Sequence, residues 1–166
     1  MSEEFVIIRE FNAPRELVFK MWTDPKHLNN WWGPVGFKVK TEKIELTPGG
    51  IFHYSMETPD GDMMYGKFIY QEIVAPEKLV FVDSFSDKKG GITRHPLAPN
   101  WPAEILNTLL FIEKNGKTIF KMTNVAINAN EEEVKTFMDG MASLTQGWGG
   151  TLSQLENYLN TISNHH

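Results

Sequence analysis

Ten apolar residues recur at steps of three and four through the last 36 residues: Val134, Phe137, Met138, Met141, Leu144, Trp148, Leu152, Leu155, Leu159 and Ile162. That is the period of a helix, and it predicts one long amphipathic helix over about 131–161, opened by Asn130 and a Glu-rich first turn. Most of the chain ahead of it alternates with period two. The fold therefore has to cover the apolar face of a sheet of six or seven strands chiefly with one helix. A strongly curved antiparallel sheet can wrap such a helix and leave space between the two. Gly147, Gly149 and Gly150 fall inside the helix, each at a cost of about 1 kcal/mol relative to Ala. They predict a bend, or a large group packed closely on the backbone. Trp148, in phase with Met141, Leu144 and Leu152, is expected to be buried against the sheet.

Residues 5–11 are β-branched and aromatic and predict the first strand. Pro14 then opens a short helix over 14–22, with Leu17, Val18, Met21 and Trp22 at helical spacing. A second helix starts at Asp24-Pro25, carries Leu28, Trp31 and Trp32, and ends at Gly33-Pro34. Strands follow over 37–46, 51–57, 62–74, 79–85, 104–113 and 117–126. The turns Pro48-Gly49-Gly50, Asp60-Gly61, Pro76-Glu77 and Lys114-Asn115-Gly116 separate them, so the sheet is expected to be mostly antiparallel. The segment 86–103 has no regular pattern and carries three prolines and Trp101. It is longer than an ordinary connection, and Arg94, His95 and Trp101 within it are candidates for a lid.

Composition narrows the chemistry. With 41% hydrophobic and 12% aromatic residues the chain can build a core, which excludes disorder. The formal net charge of −5 argues against nucleic acid as a partner. There is no Cys, so disulfides, thiolate catalysis and thiolate-held metals are excluded. His27, His53 and His95 are widely separated, so no metal site is expected, and His53, out of phase with Phe52 and Tyr54, is expected to face solvent. No G-x-S-x-G elbow and no phosphate-binding glycine loop is present, and no cofactor is expected. There is no signal-peptide pattern and no apolar run long enough to span a membrane, which reads as a cytoplasmic protein. The 166 residues are expected to form a single domain, with His165 and His166 set aside as a tag remnant.

The order β, α, α, six strands, long α is that of a helix-grip fold of the α+β class. The chain resembles the START-like (SRPBCC) superfamily, in the group similar to the C-terminal domain of the heat shock protein 90 ATPase activator. The residues that carry the resemblance are Ala13-Pro14-Arg15-Glu16-Leu17-Val18-Phe19, Asp24-Pro25, Trp31-Trp32-Gly33-Pro34, Pro48-Gly49-Gly50, Pro76-Glu77-Lys78-Leu79-Val80-Phe81 and Gly147-Trp148 with Leu152 and Leu155. They run in order through nearly the whole chain. The resemblance implies a cavity between the sheet and the C-terminal helix. It spans lipid carriers, polyketide cyclases and co-chaperone domains, so it specifies a fold more sharply than an activity.

Three functions follow as expectations. The first is binding of a small hydrophobic molecule, without catalysis. Trp32, Phe52, Tyr54, Met56, Met64, Phe68, Tyr70, Trp101, Met138 and Met141 are the candidate ligand contacts, since Met and aromatics suit an adaptable apolar pocket. The second is a cyclase- or dehydratase-like enzyme on an aromatic or polyketide substrate, with Arg9, Tyr54 and Asp83 as candidate catalytic groups. Arg9 is in phase with Ile7 and Phe11, and its alternatives are a place at the rim of the sheet or a pairing with Asp83. Asn107 and Asn124 are further inward polar residues by strand phase. The third is a co-chaperone-like interaction module. The sequence contains none of the extra N-terminal domain of the eukaryotic activator, so a chaperone partner is not expected. A homodimer is left open.

Overall fold

The computed structural model describes residues 4–93 and 99–163. Strand β1 (Glu4–Phe11) leads into helices α1 (Arg15–Thr23) and α2 (Pro25–Trp31). The strands β2 (Lys38–Ile44), β3 (Ile51–Glu57), β4 (Met63–Val74), β5 (Lys78–Ser86), β6 (Ile92–Thr93), β7 (Glu104–Lys114) and β8 (Lys117–Ile127) come next. Helices α3 (Glu131–Asp139) and α4 (Met141–Ser163) end the chain. The strands form one antiparallel sheet in the order β1-β8-β7-β5-β4-β3-β2, with β6 paired to β5 beside that path. This is the helix-grip arrangement. Successive strands pair through short turns, and the first strand returns to pair with the last.

The apolar phase of each strand faces inward, and depth along the strands decides what it meets. At one end α1 and α2 lie on the concave face and complete a dry core. Trp22 is fully buried, stacks on Phe120 with ring centroids 5.5 Å apart, and meets Trp31 edge-on at 4.7 Å. Phe19 meets Phe111 at 5.2 Å, and Phe68 stacks on Phe81 at 3.9 Å. Burying each such ring contributes roughly 1.5–3 kcal/mol. The Trp31 indole donates to the Met21 carbonyl at 3.0 Å, which removes the cost of burying its N–H.

Helix α2 stops at Trp31, one residue earlier than the sequence pattern indicates. Trp32 is already extended (φ −68°, ψ 146°), and Gly33 follows at φ +101°. A Cβ at Gly33 would stand 2.7 Å from Val39 Cγ2, so the position needs glycine twice over. The Gly33 carbonyl accepts from Thr151 Oγ1 at 3.2 Å and from Gln154 Nε2 at 2.9 Å. Helix α4 thereby pins the backbone that carries Trp32.

Three further expectations need correction. The C-terminal helix does not bend at Gly147–Gly150 but breaks at Gly140, into α3 and α4. Gly140 caps α3 with its N–H on the carbonyls of Phe137 and Thr136, and a Cβ there would meet Trp101 Cζ3 at 3.0 Å. An added Cβ at Gly147 or Gly149 meets nothing within 4 Å, whereas one at Gly150 would meet Val35 Cγ2 at 3.2 Å, so of the three only Gly150 permits a close approach. The segment 86–103 is not wholly irregular. Asp87 Oδ1 accepts from the N–H groups of Lys89 (2.8 Å) and Gly91 (2.9 Å), and this turn feeds the two-residue strand β6. That turn also covers His53, which is on the outer face as its phase requires but is buried, not solvated. Its Nε2 lies 3.1 Å from Ser86 Oγ and 3.2 Å from the Asp87 carbonyl.

Candidate functional site

At the end of the concave face that α1 and α2 leave uncovered, the sheet and α4 do not close on each other. A cavity of about 450 Å³ remains. Voids in a packed interior rarely exceed a water molecule, whereas ligand pockets run to about 300–1,000 Å³. Tyr54 and Met56 of β3, Met64 and Gly66 of β4, and Asp83 and Phe85 of β5 form its floor. Ile105 of β7 and Asn124 of β8 extend it. Trp32, Phe37, Trp101 and Phe137 wall the sides, and Leu144, Gly147, Trp148 and Thr151 of α4 form the roof. Ser143 and Gly147 also line it and are exposed, so the space meets solvent along α4.

Tyr54 is positioned by a missing side chain. Gly66 pairs with it across β3 and β4, and a Cβ on Gly66 would stand 2.5 Å from the Tyr54 hydroxyl. The phenol therefore lies flat across β4 and carries its hydroxyl toward β5, where Phe85 pairs with Gly66 and Asp83 is two residues back on the same face. Burial, and then the Asp83 charge, push the Tyr54 hydroxyl well above its ordinary pKa, so it stays protonated and can donate. The Trp32 ring meets Tyr54 edge-on at 6.0 Å. Its indole N–H is fully buried beside the Tyr54 hydroxyl, whose pKa this contact lowers against the larger effect of burial.

Asp83 is the carboxylate of the site. Asn124 Nδ2 donates to Asn107 Oδ1, and Asn107 Nδ2 donates to Asp83 Oδ2 at 2.9 Å, so a polar chain runs across β8, β7 and β5. Desolvation pushes the Asp83 pKa up to about 6, against the Asn107 hydrogen bond that lowers it. A carboxyl poised there can exchange protons near neutral pH.

Several candidate residues lie elsewhere. Arg9 points to the concave side but sits at the rim, where its guanidinium donates to Ser153 Oγ at 3.3 Å, and it does not line the cavity. Phe52, Phe68 and Tyr70 are fully buried in the packed end and do not reach the space. Met138 and Met141 pack against the core beside the α3–α4 break, also outside it. Trp32, Tyr54, Met56, Met64, Trp101 and Asp83 do line it. Arg94 and His95 fall outside the described residues. Trp148 is half-buried over the cavity, 5.5 Å from Trp32, and is not packed into the sheet.

Sequence reasoning did not single out Phe37, Phe85, Ile105, Phe137, Leu144 or Thr151 as site residues. Phe85 and Ile105 could have been found from strand phase. Phe37, in phase with Val39, could have been found in the same way, although it lies one residue ahead of β2. Among the described residues no three His, Cys, Asp or Glu side chains gather as a metal site would need. Among the described residues, no helix is long and apolar enough to cross a membrane.

The chain is similar to solved structures over nearly all its length. A protein from Arthrobacter aurescens, solved by NMR, is 28% identical with a TM-score of 0.79, over 95% of this chain and 86% of that one. One from Staphylococcus epidermidis is 26% identical with a TM-score of 0.78, over 98% and 92%. The fold is shared with DynU16, a putative protein in the dynemicin biosynthetic locus, at 17% identity and a TM-score of 0.66, over 97% of this chain and 48% of that one. No curated protein matches the sequence. The family described as activator of Hsp90 ATPase homolog 1-like protein matches residues 12–160. With the order of elements, the uncovered end of the grip and a match of this extent, the chain belongs to the activator of Hsp90 ATPase homolog 1-like family.

Proposed function

We propose that the protein binds a small, mostly apolar, uncharged molecule in the cavity between the sheet and α4. The observation that carries this reading is the unfilled space itself, about 450 Å³ walled mainly by aromatic and Met side chains. An interior with this many large apolar residues could have packed shut, and the one-sided placement of α1 and α2 keeps it open. Dispersion against Trp32, Met56, Met64 and Trp148 would supply the affinity, and the polar groups at Tyr54 and Asp83 would orient the guest. Asp83 disfavours an anion. Fatty-acid carboxylates should therefore bind less well than neutral ring compounds.

Thermal shift tests the reading. A ligand that binds only the folded state adds about 2.7 kcal/mol at 100 times its Kd. In a chain of this length that raises Tm by about 5–10 °C. A panel of neutral polycyclic aromatics, flavonoids and sterols is expected to contain compounds that do so. Met56→Trp, which fills the space, should abolish the shift, and Lys38→Glu on the exposed side of β2 should leave it intact. No shift above about 1 °C from any compound would overturn the reading.

A further inference from the structure

The polar end of the cavity holds more than orientation requires. Two groups of different chemistry line one apolar space, the Asp83 carboxylate and the Tyr54 hydroxyl, and the Trp32 indole N–H backs the hydroxyl. The Trp32 N–H is fully buried behind the Tyr54 hydroxyl, so it acts on the cavity through Tyr54 and not directly. Tyr54 is held in place by Gly66, whose missing Cβ makes room for the hydroxyl. The arrangement is one hydrogen-bond acceptor that can take a proton, close enough to act on one donor that can stabilise an oxygen.

Resting on the binding reading above, we propose that the cavity enolises an apolar ketone: the Asp83 carboxylate removes a proton from the carbon beside the carbonyl, and the Tyr54 hydroxyl stabilises the enolate oxygen. The C–H electron pair becomes the new C=C bond, and the carbonyl π pair moves onto oxygen. The proton rests on Asp83 and returns to carbon, so the step consumes no oxidant, reductant or co-reactant. A preorganised donor aimed at a developing oxyanion supplies much of the rate enhancement in reactions of this type. Burial pushes Asp83 up to about 6, which makes it a better base than an ordinary carboxylate and leaves it largely ionised at neutral pH. Tyr54 is the other titratable group among the described residues that line the cavity, and it stays protonated.

The experiment is hydrogen–deuterium exchange at the α-carbons of 2-tetralone in D2O, followed by NMR, with ketone binding read separately as a thermal shift. The intact protein should accelerate exchange at least about 100-fold over the same concentration of acetate. Asp83→Asn should return exchange to background while the ketone still raises Tm. Tyr54→Phe should lower kcat about 10-fold or more with little change in KM, and it keeps the proposal open to refutation if Asp83→Asn misfolds. The kcat/KM profile should rise through about pH 6, where Asp83 ionises. Lys38→Glu should change nothing. Binding without accelerated exchange overturns the catalysis and leaves the binding reading standing. Neither binding nor exchange overturns both, and acceleration that survives Asp83→Asn overturns the assignment of the base.

Discussion

Gly66 and Tyr54 form a pair whose coupling is measurable. A Cβ at Gly66 would stand 2.5 Å from the Tyr54 hydroxyl oxygen and 2.6 Å from Cζ, so Gly66→Ala forces the phenol out of its place. Overpacking of this kind costs about 1–3 kcal/mol. The cost should largely vanish in a Tyr54→Leu background, and urea denaturation of the four variants gives the coupling energy. Asp83 adds a pH signature. Its pKa in the folded chain is raised from 3.8 to about 6, so the folded state holds this proton more tightly than the unfolded state does. Stability from this group is present in acid and is lost as pH rises between those two values. Asp83→Asn, which keeps an acceptor for Asn107, should stabilise the protein at pH 8 by up to about 3 kcal/mol. The gain should disappear below about pH 4. A constant difference across that range would mean that Asp83 is not desolvated.

The helices show what the sequence carries and what it does not. The three-and-four spacing located the C-terminal helical region, because periodicity reports which face is buried. It did not locate the break, since Gly140 is set by a partner distant in sequence, Trp101, whose ring lies 5.7 Å from that of Phe137. Gly147 and Gly149 drew attention as poor helix formers, yet neither has a neighbour that requires a glycine. Gly149→Ala should therefore stabilise by about 0.5–1 kcal/mol, read as a higher urea midpoint with an unchanged slope. Gly140→Ala should destabilise, because the added methyl meets Trp101 Cζ3 at 3.0 Å. The strands divide in the same way. Phase placed Phe52, Tyr54 and Met56 on one face and Phe81 and Asp83 on another strand's matching face. It could not say that Phe52 and Phe81 lie under α1 and α2 while Tyr54, Met56 and Asp83 lie beyond them. Depth along a strand is set by where the covering helices stop, and no local pattern records that.

Across the molecule, α1 and α2 close one end of the curved sheet and α4 spans the other without filling it. The resemblance read from Trp31-Trp32-Gly33-Pro34 and Gly147-Trp148 led to this architecture because those residues make the junction between α2 and α4. It did not specify the ligand, which depends on the few groups facing the cavity. The eight Met residues offer built-in reporters of where a guest sits. Met56 and Met64 line the cavity, Met21 and Met122 are fully buried in the packed end, and Met63 is half-exposed on the other face of β4. With 13C-methyl-labelled Met, titration with 2-tetralone should shift the Met56 and Met64 methyl signals progressively to saturation and leave those of Met21, Met122 and Met63 in place. Saturable shifts at Met63, or unmoved signals at both Met56 and Met64, would contradict a ligand site between the sheet and α4.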